Sequence, residues 1–184
     1  MNDPGLNYSA LMMGLLDFLG RDPDTFYHVR EISRLTGVSV GAVSITLRAM
    51  ESTHMVEGIE KGGLKLYRFN MFNPVSRQFK VLFTITRLRG LVEELREHSL
   101  RIILYGSSAD GTDTKDSDSD VFIETQDPRL AKTIVRKWQE RLEKQYNMTL
   151  SPLIADPMEM ARLRRQDKPL IENIYRGRIL WQRD

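Results

Sequence analysis

Ile102-Ile103-Leu104-Tyr105-Gly106-Ser107-Ser108-Ala109-Asp110-Gly111, followed after a polar spacer by Ser117-Asp118-Ser119-Asp120-Val121-Phe122-Ile123, is the stretch on which the reading of this chain depends. An apolar run ends in a Gly-Ser turn. A polar loop follows, and then two aspartates one residue apart lead into a second apolar run. Residues i and i+2 of a strand point to the same face, so Asp118 and Asp120 project together and Ser119 faces away. Two such carboxylates repel each other unless a cation lies between them. Mg²⁺, a hard cation that prefers oxygen and is shared with substrate phosphates, is the natural occupant.

The same residues carry a family resemblance. An apolar strand, Gly-Ser-x-Ala-x-Gly, and a spacer ending in Ser-Asp-x-Asp resemble the nucleotidyltransferase superfamily of DNA polymerase beta in its minimal form. Gly106, Ser107, Ala109, Gly111, Ser117, Asp118 and Asp120 match at the family's spacing. The resemblance implies that Asp118 and Asp120 are catalytic metal ligands and that Gly106 and Ser107 hold the β,γ-phosphates of an NTP, ATP first among them. It also implies two Mg²⁺ ions, one at the attacking hydroxyl and one at the leaving pyrophosphate. Glycine lets the backbone approach phosphate closely, and turn N–H groups favour anions.

Two departures from that pattern stand out. The family usually supplies a third carboxylate from a later strand. Here that strand reads Asn147-Met148-Thr149-Leu150-Ser151-Pro152-Leu153-Ile154-Ala155-Asp156, with no acid in its middle. Asp156 at its end reads as the N-cap of a helix opened by Pro157. Many relatives also carry basic residues where this chain has Ser108 and Asp110.

The 184 residues suffice for one ordinary domain or two small ones, and the composition is that of a folded protein. The lack of cysteine excludes disulfides and thiolate metal sites and fits a reducing, cytoplasmic location. Met1 to Tyr8 is polar and does not read as a signal peptide, and no apolar run approaches a membrane span. A net charge of +2 does not argue for nucleic acid by itself. Residues 1–72 hold seven Lys/Arg against eight Asp/Glu, so any DNA contact there depends on local placement.

Outward from the motif, the N-terminal part reads helix, helix, short turn with Gly37, helix, hairpin. The helices are expected over Tyr8–Leu19, Phe26–Thr36 and from Ser39 or Gly41 to Met50. Val29, Ile32 and Leu35 recur at helical spacing on the second, and Val43, Leu47 and Met50 face inward on the third. The hairpin pairs Met55–Ile59 with Leu64–Phe69 around Gly62-Gly63. This order resembles a winged helix-turn-helix with Ser39–Met50 as recognition helix. Ser39, Ser44, Thr46 and Arg48 are its candidate DNA contacts, and Lys61, Lys65 and Arg68 of the wing are candidates for backbone phosphates. Such folds also serve as protein-binding and dimerisation platforms.

Pro74 opens a long helix, Val75–Glu97, with an apolar stripe of Val81, Leu82, Ile85, Leu88, Val92 and Leu95. It is expected to link the domains and to contribute to both cores or to a homodimer interface. Beyond it come strands at Leu100–Tyr105, Val121–Thr125, Met148–Ala155 and Arg178–Trp181. Helices are expected over 128–146, 157–165 and 169–176, with Trp138 in a core stripe. The expected fold is α+β: a winged helix-turn-helix domain (1–72), a linker helix (73–98) and a mixed-sheet nucleotidyltransferase-like domain (99–184). His28, His54 and His98 lack ligand spacing and read as surface or capping residues. The cluster of Arg162, Arg164, Arg165 and Lys168 reads as a solvated face that also offers a phosphate or RNA contact.

Two functions follow. One is a Mg²⁺-dependent transferase moving NMP from an NTP to a protein or small-molecule hydroxyl, with a DNA-binding winged helix. Minimal transferases that this chain resembles include antitoxins that modify a partner toxin. The other is a DNA-binding transcriptional regulator whose transferase domain senses nucleotide, or binds a partner such as a toxin, without turnover.

Overall fold

The computed structural model describes residues 8–183; the polar segment Met1–Asn7 and its expected lack of a signal lie outside the described residues. The chain divides into two compact units between Lys80 and Val81. Among the described residues no helix is long and apolar enough to cross a membrane.

The first unit begins with α1 (Ala10–Arg21), whose N-terminus is capped by Ser9 Oγ accepting from the Met12 N–H at 3.1 Å. Leu15, Leu16 and Leu19 bury its inner face. A two-residue strand, β1 (Tyr27–His28), precedes α2 (Val29–Thr36). The expected helix from Phe26 therefore starts three residues late. Tyr27 and His28 pair instead with Tyr67 and Leu66 of a later strand, and the His28 ring accepts the Arg30 N–H as N-cap. The helix ends at Gly37, which takes the left-handed conformation (φ 72°) and donates to Ser33 O. Leu35, expected inward, is half exposed; Ile32 alone is buried on this helix.

Ser39 caps α3 (Val40–Ser52), which buries Val43, Leu47 and Met50 as its spacing predicts. β2 (Val56–Lys61) and β3 (Leu64–Phe69) form the hairpin, with positive φ at Gly62 and Gly63, and β1 joins them in a sheet of order β1-β3-β2. Lys80, only 5 % exposed, closes the unit by donating its ammonium to Gly20 O at 2.7 Å. A buried charge is tolerated only with such a partner.

That lysine lies in α4 (Pro74–Leu95), which continues into the second unit. There Leu88, Leu91 and Leu95 are buried, whereas Leu82 is half exposed. The inward face thus follows the 81, 84, 88, 91, 95 spacing of a 3.6-residue period. Gly90 makes room for Trp138: a Cβ there would run into the indole ring. The sheet is built from β4 (Ser99–Tyr105), β5 (Ser119–Thr125), β6 (Leu150–Ala155) and β7 (Arg178–Gln182), in the order β6-β5-β4-β7. β5 runs antiparallel to β4 and parallel to β6; β7 runs antiparallel to β4. The parallel pair is joined by the crossover helix α6 (Pro128–Tyr146), capped by Asp127.

One sheet face packs on α6 through Ile102, Leu104, Val121 and Ile123 with Trp138. The other carries Ile103, Tyr105 and Phe122 against α7 (Pro157–Gln166) and α8 (Lys168–Arg176). Asp156 caps α7, its Oδ1 accepting the Glu159 N–H at 2.7 Å. The mixed α+β architecture agrees with the expectation for this half of the chain.

Candidate active site

Three strand ends meet at one edge of this sheet. The register sets Tyr105 opposite Asp120, and Asp120 opposite Ser151. β4 therefore delivers Gly106, β5 delivers the aspartates and β6 delivers Ser151 to the same edge. Across β4 on its other side, β7 begins there with Arg178 opposite Leu104.

Gly106 sits at φ 70°, ψ −157°, a region that side-chain-bearing residues rarely occupy. A Cβ at this position would lie 2.7 Å from Asp120 Oδ2. Glycine is therefore required twice, by the backbone and by the carboxylate beside it. A single helical turn, α5 (Ser107–Asp110), follows, closed by Gly111 in the left-handed region. Ser107 is half-buried at its start. Ser108 turns inward instead: it is 2 % exposed, and its hydroxyl lies 3.2 Å from the Ser119 hydroxyl. This position, basic in many proteins the motif resembles, here ties the turn to the start of β5. Asp110 is exposed. Arg178 Nε donates to Ala109 O at 3.2 Å, bracing the same turn from β7.

The loop into β5 is folded by its own short side chains. The Thr114 N–H donates to Ser117 Oγ at 2.9 Å and the Ser117 N–H to Thr114 O at 3.1 Å. Asp118 follows exposed and Asp120 half-buried, with Ser119 buried between them, as the alternation predicts. Burial, above all, pushes the Asp120 carboxyl up from its ordinary range. A hydrogen bond from the Ser151 side chain opposes this, and the Asp118 charge adds to it. The Tyr105 phenol is pushed up by burial and then by the Asp120 charge.

Among the described residues no three His, Cys, Asp or Glu side chains group as metal ligands. The donors present are two carboxylates and a hydroxyl, all oxygen, and the missing Cβ of Gly106 leaves Asp120 Oδ2 open. This set fits a hard divalent cation that draws its remaining ligands from phosphates and water. Asp118 and Asp120 would hold it. Phosphates would lie along Gly106 and Ser107.

The comparison with known families agrees with this geometry. Residues 85–180 match the family model of the nucleotidyltransferase domain, just over half of the chain. The chain belongs to the nucleotidyltransferase domain family. No curated protein matches it. The nucleotidyltransferase match takes in the second half of α4, which the motif-based boundary at residue 99 left in a linker.

Ser151 and Arg178 escaped the reading of the nucleotidyltransferase sequence. A serine in an apolar strand carries no signal until the β5–β6 register sets it beside Asp120, and Arg178 reaches the turn from 69 residues away. The basic cluster of α7 is partly engaged. Arg162 pairs with Glu159, and Arg164 donates to the Tyr175 hydroxyl at 2.8 Å.

In the first unit, Ser39 is an N-cap accepting from the Ala42 N–H at 3.4 Å. Ser44 and Thr46 are half-buried and Arg48 is exposed. The wing cations divide into two kinds. Lys61 is exposed, whereas Lys65 pairs with Glu51 at 2.7 Å. Arg68 donates twice to Glu57 Oε2, at 2.9 and 2.7 Å, across a directly opposed strand pair, and lies over the Phe26 ring.

Proposed function

We propose that the second unit binds an NTP with Mg²⁺, ATP first among the candidates, and transfers NMP to a hydroxyl on a protein or small molecule. The observation that carries this is the pair Asp118 and Asp120 at a sheet edge, with Gly106 held at φ 70° against the Asp120 carboxylate. Bound there, the cation would polarise the phosphates and stabilise charge on the leaving pyrophosphate. The protein's own part is positional. Gly106 and Ser107 present a close backbone approach to the phosphates, Arg178 and Ser108 fix that turn, and Ser151 stands opposite Asp120 on β6. Label transfer from α-labelled ATP with Mg²⁺, comparing wild type with the Asp118→Asn/Asp120→Asn double variant, tests it. Equal transfer by both proteins sinks the assignment.

The first unit, on this reading, is a winged helix-turn-helix that binds DNA, with α3 as recognition helix. Support comes from the order α1-β1-α2-α3-β2-β3, the glycine turn between α2 and α3, and the exposed Arg48 and Lys61. A homodimer in the cytoplasm, with a toxin-like or other protein acceptor, completes the proposal.

A second reading has its own observation. Ser151 stands beside Asp120, and no third carboxylate joins the pair among the described residues. This favours a DNA-binding regulator that senses nucleotide without turnover. Calorimetry with ATP and Mg²⁺, followed by a DNA shift assay with and without nucleotide, separates the two. Nucleotide binding that alters DNA binding with no product formed supports the regulator.

A further inference from the structure

We infer that Ile45, on the outer face of α3, reads the C5-methyl group of a thymine in the major groove of duplex DNA. The inference rests on the DNA-binding reading above and names the side chain that gives it a sequence preference.

α3 turns Val43, Leu47 and Met50 into the core of the first unit, all at 0 % exposure. At about 100° per residue, the opposite face centres on Gly41, Ile45, Arg48 and Ser52. Ile45 is 65 % exposed there. The fold gains little from it, because a β-branched side chain is stiff in a helix and this one leaves most of its apolar surface in water. Gly41, one turn earlier, is equally unexplained by the fold. It is exposed, a Cβ there would meet nothing within 4 Å, and its φ is not positive. Glycine inside a helix costs stability; what it offers in return is close approach by another surface.

Charge selects that surface. Every exposed charged residue of α2 and α3 is an arginine: Arg30, Arg34 and Arg48. The two acids of these helices, Glu31 and Glu51, are half-buried, and Glu51 is held by Lys65 at 2.7 Å. Arginines without an exposed carboxylate among them suit a phosphate backbone. A protein partner would favour aromatic or methionine anchors. α3 has no aromatic residue, and its one methionine, Met50, is buried.

Within the major groove, the thymine methyl is the apolar group that a base presents, and contact with an aliphatic side chain tells thymine from the other bases. Ile45 supplies that contact. Arg48, three residues on and about 5–6 Å away between Cβ atoms, holds a phosphate beside it. Ser44 and Thr46, half-buried, flank this outer line.

The test removes one methyl group from the DNA. Full-length protein selects its sites from a random duplex library at low salt. Each thymine of the selected duplex is then replaced in turn by deoxyuridine, which lacks only that methyl, and binding is read by fluorescence anisotropy. Wild type is expected to lose about fourfold in affinity at one thymine or its symmetry mate, the worth of one buried carbon. Ile45→Ala should bind the thymine and uracil duplexes alike, and Ile45→Val should recover the difference. Because Ile45 is exposed, both variants should melt with wild type. No methyl-sensitive thymine in wild type, or the same sensitivity in Ile45→Ala, overturns the role of Ile45 and leaves DNA binding standing. Unchanged DNA affinity in Ile45→Ala, with a wild-type dimer that dissociates in the variant on sedimentation, assigns the face to a second copy and also overturns it. A wild type that selects no duplex removes the DNA reading itself.

Discussion

Gly106→Ala isolates the most constrained atom of the site. The backbone at φ 70°, ψ −157° costs a non-glycine residue about 1–3 kcal/mol. The new Cβ would stand 2.7 Å from Asp120 Oδ2, so the carboxylate must also move. Displacing it costs about a further 1–3 kcal/mol, the usual penalty of overpacking. The smaller conformational freedom of the unfolded chain returns about 0.4–1 kcal/mol. The net loss is about 3 kcal/mol, a large part of the roughly 5–15 kcal/mol that holds a domain folded. For a unit of this size, about 4–8 °C of Tm per kcal/mol gives a fall of about 12–24 °C. The assay is selective, because both tryptophans of the chain, Trp138 and Trp181, lie in the second unit and report its melting by fluorescence. Mn²⁺ affinity of the folded variant should fall with it. In an Asp120→Ala background the same change meets no carboxylate, and about half of its cost should vanish. A Gly106→Ala protein that melts within about 3 °C of wild type and binds Mn²⁺ normally would refute the reasoning.

The other expectations concern charge and packing. Removing the neighbouring charge with Asp118→Asn should bring the Asp120 pKa down, and removing the opposing hydrogen bond with Ser151→Ala should push it further up, both read by carboxyl NMR titration. Because the folded value is raised, the native state holds the extra proton between the unfolded and folded values. Stability of the metal-free unit should therefore fall as pH rises through that window, and Asp118→Asn should flatten the slope. Gly90→Ala drives a methyl into Trp138 and should cost about 1–3 kcal/mol, seen as an earlier tryptophan-detected melt. If the wing binds DNA, Lys61→Ala and Arg48→Ala should each lower the salt slope of binding by about 1, whereas Lys65→Ala and Arg68→Ala should change it less, because Glu51 and Glu57 already hold those cations.

Much of this architecture was legible in the chain because its signals are local. Spacing of three and four marked Leu15, Leu16 and Leu19 as one face of α1, and proline or aspartate marked the starts of α4, α6 and α7. The Gly-Ser turn and the alternating aspartates were legible for the same reason, since a turn and a strand face are properties of a few consecutive residues. What escaped depends on partners far along the chain. β1 exists only because Tyr27 and His28 meet β3, and Leu35 lies exposed although it keeps helical spacing. Lys65 and Arg68 read as two open cations, but hairpin register and α3 supplied each with a carboxylate.

Register also decides the chemistry of the candidate site. The Ser119 N–H donates to Thr149 O at 2.8 Å, fixing β6 against β5 at the end where the aspartates stand. A slip of one residue would set Leu150 or Pro152 opposite Asp120 and move every β6 side chain to the other face. Leu150 would leave the α6 side of the core, where it is 3 % exposed, and Ala155 would leave the other. The burial of these apolar residues, well outside the site, thus holds a hydroxyl beside Asp120. The identity of residue 151 can then change the charge of the site without disturbing the fold, since Ser151 is half-buried at a strand end. Residue 151 can therefore vary in charge while the register keeps Gly106, Asp118 and Asp120 in their places.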